Sequence, residues 1–187
     1  LIAKWQAAGF THGVMNTDNM SIIGDTIDYG PFGFIDRFRF SFVPNHSDHF
    51  GRYSYINQPQ IGHWNISKLV TSLGPVVSNG VKSEVLEEYK STYMVDYLEL
   101  MARKLGFSEF RSNDKNFIED TLNMLENQEL DYTLFFRNLS DYTTGDKHNE
   151  SGYISQLKES SEDTEEWFRK YGSRLKEEGR SDKDRKR

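Results

Sequence analysis

Apolar residues recur every three or four positions through five stretches of this chain, the period of a helix with one buried face. From Leu1 to Phe10 the pattern is Ile2, Trp5 and Ala8, and it stops at Gly9, a residue suited to a helix C-terminus. From Ser83 to Leu105 it is Val85, Leu86, Tyr89, Tyr93, Tyr97, Met101 and Leu105, which predicts a long amphipathic helix closing at Gly106. Asp114 to Leu125 repeats it with Phe117, Ile118, Leu122 and Leu125, and Asp131 to Leu139 with Tyr132, Phe135, Phe136 and Leu139. A last helix carries Trp167, Phe168, Tyr171 and Leu175 on one face, with Thr164 placed to cap it. The aromatic residues on these faces are expected to form core.

Between these stretches the pattern changes. From Thr11 to Phe40 short apolar pieces are broken by Gly, Asn and Asp, and Ser21-Ile22-Ile23 and Thr26-Ile27 flank Gly24-Asp25, which predicts a small hairpin. From Asn45 to Asn65 the sequence is rich in His, Asn, Gln and aromatic residues and poor in aliphatic ones, and reads as an ordered polar surface on an irregular loop. Ser140 to Asp163 is polar and turn-rich, a mobile loop, and Lys176 to Arg187 is so charged that it cannot bury enough apolar area to offset its ordering entropy. The fold class expected is α+β, mainly α, with one domain over residues 1–175 and a disordered tail over 176–187.

Composition narrows the function classes. The 187 residues hold 23 Lys plus Arg against 29 Asp plus Glu, a net charge of −6, which argues against nucleic acid or an anionic membrane as a main partner. No apolar run approaches the roughly 18 residues of a membrane helix, and the first residues lack the succession of a signal peptide. With no Cys there is no disulfide, no thiolate metal site and no cysteine nucleophile.

Candidate chemistry concentrates in His12-Gly13-Val14-Met15-Asn16-Thr17-Asp18-Asn19, followed after the predicted hairpin by Asp28-Tyr29-Gly30. The protein-kinase catalytic pattern has a His at the start of its loop, a base Asp two residues on, an Asn seven residues after the His, and an Asp-Phe-Gly motif beyond a short strand pair. His12 to Asn19 is seven residues, and Asp28-Tyr29-Gly30 stands where Asp-Phe-Gly would be. Phosphate chemistry on ATP needs divalent cations, and hard cations prefer oxygen donors; Asn19 and Asp28 supply an amide carbonyl and a carboxylate. The position of the kinase base is Val14, which accepts no proton, and Asp18 is the nearest carboxylate able to do so. His12 is expected to brace the loop by hydrogen bonds rather than act as a base. Taken singly, these Asn and Asp residues are also ordinary turn formers. His46 and His49 have metal-ligand spacing but no clear third or fourth partner.

The string WQAAGFTHGVMNTDNMSIIGDTIDYGPFGFIDRF, followed by NHSDHFGRYSYINQPQIGHWN, resembles the selenoprotein O family, kinase-like protein adenylyltransferases. The likeness is dense from Trp5 to Leu69 and continues more loosely through Tyr97 to Leu105, Asp131 to Leu139 and Trp167 to Leu175, within the helical part, 83–175. It implies a protein-kinase-like C-terminal lobe, with a catalytic loop at 11–34 and a polar cleft segment at 45–65. It also implies transfer of AMP from ATP to Ser, Thr or Tyr hydroxyls of protein substrates, with Mg²⁺ or Mn²⁺ required. By this resemblance Asp18 is the proton acceptor, Asn19 a metal ligand, and Asp28 a ligand of both metal and nucleotide. His46, Asp48 and Arg52 are cleft-lining candidates. Family members carry a phosphate-gripping N-terminal lobe and further C-terminal helical sequence, so the resemblance implies a partial chain, cytoplasmic if bacterial. The alternatives are a non-catalytic truncated fragment and a kinase-like phosphotransferase, the latter disfavoured by Val14.

Overall fold

The computed structural model describes residues 1–144 and 152–185. It is mainly helical, with a single two-stranded sheet among the described residues, and the chain divides into two compact units. The first comprises Leu1–Ile35 and Arg39–Leu100, the second Asp36–Phe38 and Met101–Arg187.

The first unit opens with α1 (Ile2–Ala8), ended by Gly9 at φ 70°, a left-handed conformation that glycine adopts without a Cβ penalty. Strand β1 (Phe10–Thr11) follows and pairs antiparallel with β2 (Gly33–Phe34), Phe10 opposite Phe34. This pair replaces the expected hairpin. Residues 21–27 contain one turn, in which Gly24 N–H donates to the Ser21 carbonyl at 3.2 Å, and no strand. Ile22 and Ile23 are exposed, and two strands without an apolar face to bury are marginal in water.

The segment read as an irregular loop is one only to Ser54. A 3₁₀ turn over Tyr55–Asn57 then leads into α2 (Gln58–Ser72), with Pro59 in its first turn, where a missing N–H costs nothing. The helix escaped the pattern because part of its buried face is polar: Gln58 and Asn65, seven residues apart and both buried, bond loop backbone instead of packing on apolar side chains. Ile2, Trp5, Phe10, Met15 and Ile61 form the core of this unit. Helix α3 (Asn79–Lys104) has 26 residues, starts four residues before the predicted position, and is followed by Gly106 at φ 80°.

In the second unit α4 (Asp114–Asn127) and α5 (Tyr132–Asn138) match the periodicity, and the Asp131 carboxylate caps α5 by accepting from Leu134 N–H at 2.7 Å. Within the expected loop lies α6 (Gly152–Lys158); residues 145–151 of that loop fall outside the described residues. Helix α7 (Glu162–Glu177) is capped by Ser161, not Thr164. Ser161 Oγ accepts from Thr164 N–H and Thr164 Oγ1 accepts from Ser161 N–H, a reciprocal capping box.

Of the segment 176–187, expected as a disordered tail, residues 186–187 lie outside the described residues. Glu177 still belongs to α7, and α8 (Asp182–Arg185) follows. The Glu178 side chain is 1% exposed because the Arg174 guanidinium, which also grips Asp114 at 2.7 Å, holds it at 2.9 Å. Tyr132, Phe135, Trp167, Tyr171 and Leu175 are buried as expected of core. No helix among the described residues is long and apolar enough to cross a membrane.

Candidate functional site

The loop after β1 turns at Gly13, whose φ of 83° and contact with the Pro31 carbonyl oxygen, 2.5 Å from where a Cβ would sit, exclude any side chain. A 3₁₀ turn over Thr17–Asn19 then presents Asp18 to solvent and turns Asn19 inward. Asn19 Nδ2 donates to the Val14 carbonyl at 3.2 Å, which fixes the amide and leaves its Oδ1 as the oxygen available to a ligand.

His12 acts as the expected brace. Its ring is fully buried; Nδ1 accepts from Val14 N–H at 3.3 Å and Nε2 lies 2.8 Å from the Ile27 carbonyl. The tautomer with its proton on Nε2 satisfies both bonds. One imidazole therefore joins the start of the loop to the residue preceding Asp28. Trp5 Nε1 adds a second tie, donating to Thr26 Oγ1 at 3.0 Å. Asp28 is exposed and has φ 50°, a left-handed conformation that a non-glycine residue adopts at a cost, least for Asn and Asp. Tyr29, Phe32, Phe34 and Phe10 then pack ring to ring, with centroids 5.4–6.2 Å apart, and return the chain to β2. No side-chain hydrogen bond or ion pair among the described residues engages the carboxylate of Asp18 or Asp28.

The 45–53 segment is fastened to the same loop at two points. Asn45 Nδ2 donates to the Gly13 carbonyl at 3.1 Å, and the Tyr53 hydroxyl donates to Asn16 Oδ1 at 2.5 Å. Asp48 holds the segment's own turn, its two oxygens accepting from Arg52 N–H at 3.0 Å and Tyr53 N–H at 2.7 Å. Arg52, His46 and His49 are exposed. No group of three or more His, Cys, Asp or Glu among the described residues is placed to hold a metal, so the His46–His49 spacing gains no further ligand.

Beneath the loop lies a support that residue-type reasoning missed. Gln58 Nε2 donates to the Phe10 carbonyl at 2.9 Å while its Oε1 accepts from His12 N–H at 2.8 Å, and Asn65 Nδ2 donates to the Met15 carbonyl at 3.1 Å. The available signal was two amide side chains seven residues apart, hence on one helix face. A cavity of about 650 Å³ in this unit is lined by Thr17, Met20, Asn65, Leu69, Tyr89 and Tyr93 among others. Asp18 and Asp28 do not line it.

The family described as protein adenylyltransferase SelO matches residues 1–187. The chain is 43% identical over 190 residues to the protein nucleotidyltransferase YdiU of Pseudomonas fluorescens strain Pf0-1, covering 100% of this chain and 38% of that protein. It is 51% identical over 141 residues to the protein of the same name from strain SBW25 (75% and 29%). The likeness to the Hydrogenovibrio crunogenus protein of that name is 41% over 182 residues (97% and 37%). The chain thus spans between 29% and 38% of the length of these relatives.

Proposed function

This chain belongs to the protein adenylyltransferase SelO family, and from that premise we propose that it forms the catalytic-loop half of a protein-kinase-like C-terminal lobe that transfers AMP from ATP to Ser, Thr or Tyr hydroxyls of proteins. Asp18 is the proton acceptor, Asn19 and Asp28 are metal ligands, and Asp28 also faces the nucleotide. The observation that carries the reading is the buried His12, which bonds Val14 N–H and the Ile27 carbonyl and so ties the turn bearing Asp18 and Asn19 to the residue before Asp28.

In the proposed step the acceptor hydroxyl oxygen forms a bond to the α-phosphorus, the α–β bridging bond breaks, and pyrophosphate leaves. The hydroxyl proton passes to Asp18, which is exposed and carries no competing hydrogen bond. The amide oxygen of Asn19 and the carboxylate of Asp28 form a hard oxygen donor set that suits Mg²⁺ or Mn²⁺. Such an ion, when bound, supplies charge neutralisation at the phosphates. The left-handed backbone at Asp28 and the ring cluster after it hold that carboxylate on a fixed support. Val14 at the kinase base position disfavours ordinary phosphoryl transfer. His46, Asp48 and Arg52 belong to a segment lining the cleft, Asp48 through the turn that it holds.

The test is label transfer from ATP, with divalent cation, in a protein carrying this chain. An α-phosphate label is expected to stay on the acceptor, a γ-phosphate label is not, and chelation of the cation removes transfer. Asp28→Ala is expected to abolish transfer with the circular dichroism spectrum unchanged. Retention of γ-label would establish a kinase instead, and normal turnover in Asp28→Ala would remove that residue from the site.

A further inference from the structure

Two cations and an indole stand next to the catalytic loop without an acidic partner. The Arg52 guanidinium lies 5.0 Å from the Trp64 ring centroid and 5.5 Å from that of Tyr53, and Lys68 Nζ lies 5.0 Å from the Trp64 ring. Arg52 and Lys68 are exposed, and Trp64 is 40% exposed. Among the described residues neither cation makes an ion pair. The carboxylate nearest in sequence, Asp48, directs both oxygens at backbone N–H groups, one of them that of Arg52, and so fixes where the arginine leaves the chain.

The distance from this patch to the chemistry is short and countable. Arg52 covers the ring of Tyr53, and the hydroxyl of Tyr53 bonds Asn16, two residues before Asp18. The patch and the catalytic turn are thus separated by one tyrosine side chain. Trp64 and Lys68 are one helical turn apart on α2, the helix that holds the loop through Gln58 and Asn65. In a chain of net charge −6, two unpaired cations on a preorganised aromatic support form a local reversal of sign. A guanidinium stacked on rings keeps its edge N–H groups free to take a carboxylate with two parallel bonds.

We propose that Arg52, Trp64 and Lys68 form a docking subsite for an acidic side chain, Asp or Glu, of the protein substrate close to the hydroxyl that receives AMP. The subsite rests on the transferase reading for its purpose, but its ligand chemistry does not. Arg52 contacts the acidic side chain, Trp64 orients the cations, and Lys68 adds long-range attraction.

Trp64 makes the test independent of turnover: of the three indoles of this chain Trp5 and Trp167 are buried and Trp64 is exposed, and loss of the signal in Trp64→Phe assigns it. Serine peptides that carry Glu or Gln at positions flanking the serine are titrated into a protein carrying this chain while tryptophan fluorescence is followed. The Glu peptides are expected to change the emission and to bind more tightly by roughly fivefold per charge pair, an advantage that declines with salt. Arg52→Gln and Lys68→Gln each reduce it, and Arg52→Glu turns the preference towards Lys-flanked peptides. Equal affinity for Glu and Gln peptides, or a preference untouched in both Gln variants, overturns the subsite. Inorganic triphosphate producing the same Arg52-dependent signal and displacing the peptide also overturns it, by giving the cations to phosphate. Absence of α-label on every acceptor, with Glu-selective binding intact, would remove the transferase reading and leave the subsite standing.

Discussion

Lys104 shows how one residue settles between opposing forces. Its ammonium lies 4.7 Å from the Tyr132 ring centroid and 4.8 Å from that of Phe136, an arrangement that favours the charge. Burial opposes this and prevails, lowering the pKa from an ordinary 10.5 to about 8. Between those two values the unfolded chain holds a proton that the folded chain has released, so stability rises with pH across that window. Below about 8 both states are protonated and the full cost of burying the charge is present. Burial holds the Tyr89 and Tyr93 hydroxyls neutral well above their usual range, which acts in the opposite sense at still higher pH. Urea unfolding from pH 7 to pH 10 is therefore expected to show a rise that shrinks in Lys104→Met. Identical pH slopes in the two proteins would show that burial does not set this titration.

At the scale of elements, the ends of helices carry information that periodicity does not. The reciprocal bonds between Ser161 and Thr164 satisfy donors that would otherwise be orphaned at the start of α7, and three acidic residues in its first turn suit the positive end of the helix dipole. Ser161→Ala is expected to lower stability by about 1 kcal/mol. The same change at Ser173, an exposed serine inside that helix whose hydroxyl bonds only the carbonyl four residues back, should cost markedly less. Equal losses at the two positions in chemical denaturation would show that the cap is not the source. Helix α2 makes a complementary point: its inward Gln58 and Asn65 replace apolar burial with three hydrogen bonds to loop backbone, and thereby shape the loop above them.

At the scale of the whole molecule, the path of the chain and its division into units do not coincide. Residues Asp36–Phe38 belong to the second unit although the residues on either side belong to the first. Phe38 N–H donates to the Leu130 carbonyl at 2.8 Å, Tyr132 N–H donates to the Asp36 carbonyl at 2.7 Å, and the Phe38 ring stacks on Tyr132 with centroids 5.5 Å apart. Phe38 is fully buried. Phe38→Ala is expected to destabilise the second unit by about 3–5 kcal/mol, read at Trp167, which lies in that unit. A loss below about 1 kcal/mol would mean that the site collapses around the truncation or that this short insertion is peripheral.

The long periodic helices were legible from sequence because an apolar stripe needs no knowledge of what lies opposite; α4, α5 and the body of α7 bury theirs, whereas α3 buries Leu98, Met101 and Ala102 near its end and leaves Val85, Leu86, Tyr89, Tyr93 and Tyr97 half-buried. So was the order of His12, Asp18, Asn19 and Asp28, since spacing along a loop is a property of the chain. The tertiary structure decided what joins them. The expected strands at 21–27 had no face to bury, and the connection runs instead through the buried His12 ring, the Trp5 indole and the pairing of Phe10 with Phe34. The helical state of α2, the burial of the Glu178 side chain, and the placement of Arg52 over Trp64 share one cause. Gln58 finds the Phe10 carbonyl 48 residues away, Glu178 accepts from the Ser108 N–H 70 residues away, and Arg52 meets a ring on the following helix; such partnerships leave no periodic trace until the chain has folded.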